Sequence, residues 1–555
     1  MLLFFWVASF LPAVYGKKYC TSLDTSCWPS TSEWSQFNET IDGKLLVPRP
    51  LPAPCHNNGN GTSGFDEVAC NLAKQNFTST KFRSSLPGAY FDTYWEQGNS
   101  TCFIDTAADQ VCEQGLVPVY GLAATTAEDV QKGVLFAATR NLRLRVKCSG
   151  HDLLGRSSGE GSFSIWTHNL QSIDVVDAFL ESGAPSSSTP VPAITIGAGV
   201  SLEDMYAAAA AKNVTVVGGQ ARTVCAAGGY LLGGGHSSLA PKYGLAIDNV
   251  LEFTVVTAAG TIVQANKYKN QDLFFALRGG GGSTFGVVVS ATYITRPQLS
   301  LLVGITAYQG TSPNNLLPDL TKVFQAGAVL AENSWAGSIS VAFGRVVSLS
   351  AVKINPTPDD YTFLKSTIDL PASSTTTNYT FTNFTAPNYI TYYNTITGTQ
   401  GGSAGIAASR LLSNDIFANR AAELANFSLS LDVASINLVA NGAVKSVSAS
   451  DTAIHPAWRT TADWHYIVSG TGWTSSATQD DRNAFINKIR TQTATLDANF
   501  NGLGSYLNEA DAFDPEFPDV FWGSNYPNLL SIKKKWDPLG VFSCQACVGR
   551  ELNGW

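Results

Sequence analysis

Two short stretches hold the residues whose types and spacing could do chemistry. The first runs Lys147-Cys148-Ser149-Gly150-His151-Asp152-Leu153-Leu154-Gly155-Arg156-Ser157-Ser158. An imidazole in a Gly- and Ser-rich loop can donate, accept or act as a nucleophile, and Gly150 lets backbone come close to whatever His151 touches. A ligand carrying phosphates suits such a loop. The second stretch, from Gly218 to His236, contains Gly228, Gly229, Gly233, Gly234 and Gly235. A glycine cluster of this density implies backbone packed tightly against an extended cofactor, with amides able to cradle a pyrophosphate.

Several other chemistries lack their signatures. Gly197-Ala198-Gly199 precedes a helical pattern but has no third glycine, so it is not the dinucleotide fingerprint. The six histidines are scattered singly, with no H-x-x-x-H and no His/carboxylate cluster in the sequence, so no metal site is expected. A G-x-S-x-G nucleophile elbow is missing. A net charge of -8, with no dense basic run beyond Lys533 to Lys535, leaves no surface for a nucleic-acid backbone.

The elements that must position these stretches are legible in the periodicity. Thr126-Ala127-Glu128-Asp129 reads as a capping-box-like start of a helix with Val130, Val134 and Ala137/Ala138 on one face. Leu142, Leu144 and Val146 then alternate as a strand leading into the His151 loop. Ser201-Leu202-Glu203-Asp204 starts another helix, followed by a strand over 214–217. Ala258-Ala259-Gly260 joins two strands as a hairpin, a short helix begins near Asp272, and 285–295 is a long strand. Beyond Pro297 come strands over 301–307 and 338–343 and helices near 315–331 and 479–498. The Thr-rich stretch 371–385 reads as an exposed loop. The chain is long enough for two packed lobes of α+β class.

Taken in order, these segments resemble the PCMH-type FAD-binding module of the vanillyl-alcohol-oxidase superfamily, in the fungal branch similar to berberine bridge enzymes and isoamyl alcohol oxidases. The resemblance covers about Val117 to Pro297. It rests on Gly150-His151-Asp152 with Gly155-Arg156-Ser157-Ser158, on Gly228-Gly229 and Gly233-Gly234-Gly235-His236, on Asp248-Asn249-Val250, and on the glycine run before Phe285-Gly286-Val287. It resumes at Tyr506-Leu507-Asn508-Glu509-Ala510-Asp511 and Phe521-Trp522-Gly523, similar to that family's closing element.

The resemblance implies FAD tethered through His151 to the 8α-methyl of the ring. The binding set would be Ser149, Gly150, Asp152, Gly155, Arg156, Ser157, Gly228, Gly229, Gly233, Gly234, Gly235, His236, Asn249, Val287 and Asn508. Many relatives add a cysteine link from a G-x-C-x-T-V segment. Ala221 stands at that position here, so one covalent link is expected, with Cys225 a buried thiol. The implied reaction is hydride transfer from a small alcohol, amine or secondary-metabolite intermediate to the flavin, with O2 reduced to H2O2. Tyr466, Tyr506 and Glu509 are the candidate bases. Oxidative ring closure or flavin-scaffolded isomerisation is the alternative, and a secreted flavin- or carbohydrate-binding protein without turnover a distant third.

The expected organisation is a signal peptide over 1–16, a disulfide-bonded cap over 17–115, the FAD-binding domain over 116–297, a substrate domain with an antiparallel sheet over 298–500, and a segment over 501–555 that returns to the FAD domain. The apolar N-terminal stretch is too short to span a bilayer and ends at small residues. Sequons at Asn38, Asn60, Asn76, Asn99, Asn213, Asn378, Asn383 and Asn426 agree with export and N-linked glycans, in a secreted or vacuolar product. Six of ten cysteines lie in the first 112 residues and are expected to pair sequentially, whereas Cys544 and Cys547 leave disulfide, redox pair or thiols open.

Overall fold

The computed structural model describes residues 19–57, 64–98, 100–398 and 401–552. The expected signal peptide and the sequons at Asn60 and Asn99 lie outside the described residues. Thr126 caps the helix Ala127–Thr139, with the Asp129 carboxylate returning to the Thr126 amide. That helix buries Val130, Val134 and Ala137 against a four-stranded sheet. In the sheet Leu144–Lys147 and Tyr120–Ala123 flank Phe163–Trp166 in parallel, and Leu45–Leu46 adds an antiparallel edge.

A five-stranded antiparallel sheet follows, in the order Ile173–Phe179, Val191–Gly197, Val287–Ile294, Val250–Val256, Ile262–Asn266. The hairpin at 257–261 closes through Thr257 N–H to the Thr261 carbonyl, with Gly260 at φ +72°. The strand expected over 214–217 is reduced to Val214–Thr215 paired with Arg296–Pro297. Val216 and Val217 leave it to enter the core.

Residues beyond 300 build a seven-stranded antiparallel sheet, in the order Asn378–Ala386, Leu301–Gln309, Val346–Ile354, Ala336–Ala342, Val433–Leu438, Trp464–Ser469, Ala407–Leu412. Helices Pro313–Glu332, Ala421–Leu429 and Gln479–Phe500 contribute buried residues to one core with its Trp464, Tyr466 and Val468. The architecture is the expected α+β pair of lobes. The stretch read as a loop over 371–385 is corrected: Asn378–Ala386 is an edge strand along the whole of Leu301–Gln309. Tyr379 and Phe381 pack on the helix-covered core, and the β-branched Thr380, Thr382 and Thr385 favour the extended chain. Composition alone hid that alternation.

The carboxyl end returns to the first sheet. Phe542 bridges in parallel to Leu144, at the strand that leads into the His151 loop. Buried Lys533 fixes this return, donating to the Thr284 and Phe542 carbonyls at 2.7 and 2.6 Å and to Asp537 at 2.6 Å. Cys20–Cys27, Cys55–Cys70 and Cys102–Cys112 pair sequentially as expected. Cys544 pairs with Cys547. Cys225 is not a thiol: it is bonded to Cys148, 77 residues earlier, three positions before His151. No helix among the described residues is long and apolar enough to cross a membrane.

A buried two-pronged ion pair joins the short helices Ala246–Asn249 and Ala457–Thr460, which precede Val250–Val256 and Trp464–Ser469 in the chain. Arg459, 1% exposed, donates to both oxygens of Asp248 at 2.8 and 2.7 Å. Arg459→Ala leaves a buried carboxylate without its partner and should cost about 3–5 kcal/mol of stability. Denaturant unfolding of the two proteins measures this difference.

Candidate functional site

A cleft of about 460 Å³ lies between the His151 loop, the glycine-rich segment 219–232 and the uncovered face of the seven-stranded sheet. The His151 loop is shaped by its own backbone. Gly150 takes φ +84°, and its carbonyl accepts the Phe91 amide at 2.8 Å. Asp152 accepts from Leu154 N–H and from both the amide and hydroxyl of Ser157, which closes the turn. The His151 ring stacks on Phe91 with centroids 4.7 Å apart, and its Nε2 lies 2.7 Å from the Thr223 hydroxyl. Cys148–Cys225 joins the same two segments. Burial, followed by the charge of Lys147, lowers the His151 pKa to about 4, so its imidazole is neutral and nucleophilic at physiological pH.

Arg156 supplies the positive charge of the cleft. Its Nη2 donates to the Gly282 carbonyl at 2.8 Å and to Thr284 Oγ1 at 2.9 Å, while Nε and Nη1 are buried without a partner. Burial lowers its pKa to about 10, which leaves it charged near neutrality. Unsatisfied N–H groups on a buried cation beside the backbone of Gly228, Gly229 and Gly282 suit an anionic group such as the diphosphate of FAD.

Three groups from three distant segments also meet at this cleft. Glu509 Oε2 lies 3.4 Å from His236 Nε2 and 3.4 Å from His465 Nδ1. Burial raises the Glu509 carboxyl, and His236 facing both its oxygens more than offsets this, so Glu509 is held below the usual carboxylate range. Burial lowers the pKa of His465 to about 4. The Tyr506 ring stands edge-on to His236 and to His465. Its hydroxyl accepts the Gly235 amide at 3.2 Å and Asn508 Nδ2 at 2.8 Å, and burial raises its pKa well above that of a free phenol.

Of the residues expected from the sequence, Ser149, Gly150, His151, Asp152, Arg156, Ser157, Gly228, Gly229, His236, Val287, Asn508, Tyr506 and Glu509 line the cleft. Others sit behind its wall. A Cβ on Gly155 would strike the Trp95 ring, one on Gly233 the Asn508 amide, and one on Gly235 the Ala246 methyl. Gly234 packs near Ile454 and Tyr506 in the same way. These four glycines admit neighbouring side chains. Asn249 is locked inside the fold, donating to the Tyr243 and Leu245 carbonyls and accepting from Arg296.

Tyr466 is not brought to the cleft. Strand alternation turns it, with Trp464 and Val468, into the helix-covered core, where its hydroxyl bonds Ser428 at 2.7 Å. His465 and Ile467 take the opposite face, and the reading that no His/carboxylate cluster exists is corrected by the His236–His465–Glu509 group. The sequence reading also missed Phe91, Thr223 and the sheet residues Ser435 and Asn437. The period-two pattern of 464–468 carried the signal for His465.

The fold and this cleft define a two-lobed flavoprotein architecture, and comparisons with known proteins agree. Residues 118–266 match the FAD binding domain family, and residues 505–548 match the family described as berberine and berberine like. A VAO-type flavoprotein of Myceliophthora thermophila C1, solved at pH 5.0, superposes with a TM-score of 0.86 at 28% identity, over 96% of this chain and 97% of that one. An uncharacterized FAD-linked oxidoreductase of Arthroderma benhamiae is 36% identical over 546 residues, 97% of this chain and 95% of that protein. A flavin-dependent oxygenase of Aspergillus ustus is 35% identical over 93% of this chain and 97% of its own length. The chain belongs to the FAD-linked oxidoreductases of the berberine-bridge-like, VAO-type family.

Tyr466→Phe removes only a core hydrogen bond. It should cost about 1 kcal/mol of stability and leave the flavin spectrum unchanged, measured by thermal unfolding beside visible absorbance.

Proposed function

We propose that the protein is an oxidase that carries FAD on His151 and uses Glu509 as the base toward a small alcohol, amine or secondary-metabolite intermediate. The observation that carries this reading is the cleft itself, lined both by a neutral nucleophilic imidazole and by an ionised carboxylate flanked by two histidines. Bound FAD supplies the hydride acceptor, returning the electrons to O2 as H2O2.

His151 holds the cofactor. With Nε2 engaged by Thr223, Nδ1 is the nitrogen free to bond the flavin. Arg156 and the glycine backbone neutralise the diphosphate, and Ala221 at the second-link position supports a single tether. Glu509 takes the substrate proton onto a carboxylate oxygen. Tyr506, bonded to Gly235 and Asn508, fixes the turn that presents it. Ser435 and Asn437 offer polar contacts for the substrate from the sheet. Five disulfides and exposed sequons at Asn213, Asn378, Asn383 and Asn426 support a secreted or vacuolar glycoprotein. Protein recovered from a eukaryotic host should lose mass on enzymatic deglycosylation, and no loss would overturn that part of the reading.

Two variants test the chemistry. Acid-precipitated wild type should stay yellow and carry the mass of one FAD, and His151→Ala should release its colour; colour released equally by both removes the tether. Glu509→Gln should keep the flavin yet lower kcat by roughly 10²–10⁴-fold. Undiminished turnover in that variant removes the base. Substrate conversion without oxygen and without flavin bleaching would assign proton-transfer isomerisation in place of oxidation.

A further inference from the structure

His465 is the least explained side chain around the cleft, set behind Glu509 on its wall. It is fully buried, yet neither ring nitrogen has a hydrogen-bond partner. Buried polar atoms are normally satisfied, and an imidazole pair of lone orphans is a standing requirement for a donor, an acceptor or a Lewis acid. The Glu509 oxygen facing it is 3.4 Å away, and the same oxygen is 3.4 Å from His236 Nε2. These contacts sit at the outer edge of hydrogen bonding. They equal the edge of a tetrahedron whose centre lies about 2.1 Å from each corner, the usual bond length from zinc to imidazole or carboxylate. The ligand atoms of all three residues fall within 4.8 Å of one another.

We propose that His236, His465 and Glu509 form a site for one divalent transition-metal cation of the zinc type, with an open coordination position toward the cleft. Two imidazoles and a single carboxylate favour a borderline cation over calcium or magnesium, which demand more oxygen ligands. Three protein ligands leave the fourth position for water or a substrate oxygen. The ligands are held in place before any cation arrives. His236 receives the Tyr230 hydroxyl on its carbonyl at 3.0 Å, His465 is fixed by its strand, and Glu509 ends the turn Leu507–Glu509. The Tyr506 ring packs against both histidines, with centroids 5.1 and 5.4 Å away. His236 and Glu509 line the cleft, so a cation reaches the site from solvent by the path a substrate takes.

Binding stands apart from the proposed reaction. Its consequence for turnover rests on that reading: a carboxylate that ligates a cation cannot also accept a substrate proton, so zinc should inhibit, and a chelator should restore activity.

The holoenzyme, stripped with a chelator, is titrated with zinc chloride by calorimetry and its metal content measured after gel filtration. One equivalent should bind. His465→Ala and the near-isosteric Glu509→Gln should each weaken binding at least about tenfold, and His168→Gln, outside the cluster, should not. Thermal unfolding of each variant confirms that it is folded, and Glu509→Gln preserves the packing if His465→Ala does not. Absence of binding, or binding unaffected by both ligand variants, overturns the site. One equivalent lost in the variants but without inhibition of the wild type upholds the site and removes Glu509 as the base. No binding together with a turnover defect in Glu509→Gln does the reverse.

Discussion

Everything in the cleft depends on the attachment of one short loop to another. The loop after Leu144–Lys147 and the segment 221–225 come from different sheets' surroundings, yet they meet through Cys148–Cys225 and through His151 and Thr223. The covalent bond fixes the separation of the two backbones. Within that fixed distance the hydroxyl of Thr223 selects which imidazole nitrogen is occupied, and the Phe91 ring prevents the imidazole from turning away. Burial keeps it unprotonated. A loop rich in glycine and serine would otherwise sample many conformations, and ordering it would oppose cofactor capture.

The opposite wall is made by a different principle. The seven-stranded sheet has one face committed to its helices, so every second residue of Trp464–Ser469 is core and the others are available to the cleft. His465 and Ile467 are on the site side because Trp464, Tyr466 and Val468 are not. Sheet polarity thus assigns roles that side-chain chemistry alone would assign wrongly, since a phenol is as reasonable a base as an imidazole until its direction is known.

That contrast explains what could be read from the chain. Gly150-His151-Asp152 and Gly228-Gly229 are contiguous, and residue type and spacing were enough to mark them as stretches that line the cleft, because local backbone geometry is a local property. The capping box at Thr126, the hairpin at Gly260 and the long helices were legible for the same reason. Positions 236, 465 and 509 are brought together only by tertiary packing, and no spacing in the sequence anticipates them. Glycines were a partial guide. Gly233 leaves room for Asn508, and Gly235 for Ala246 and Tyr230. Cys148 and Cys225 lie 77 residues apart, too far for local pattern to join them.

The seating of Lys533 among the Thr284 carbonyl, the Phe542 carbonyl and Asp537 has a bearing on biogenesis. Residues near position 150 emerge from the ribosome hundreds of codons before the stretch that closes over them and extends their sheet at Leu144. Until that last stretch has been translated and docked, the pocket is open on one side. A chain ended before its final tenth therefore lacks the part of the wall that Tyr506, Asn508 and Glu509 supply.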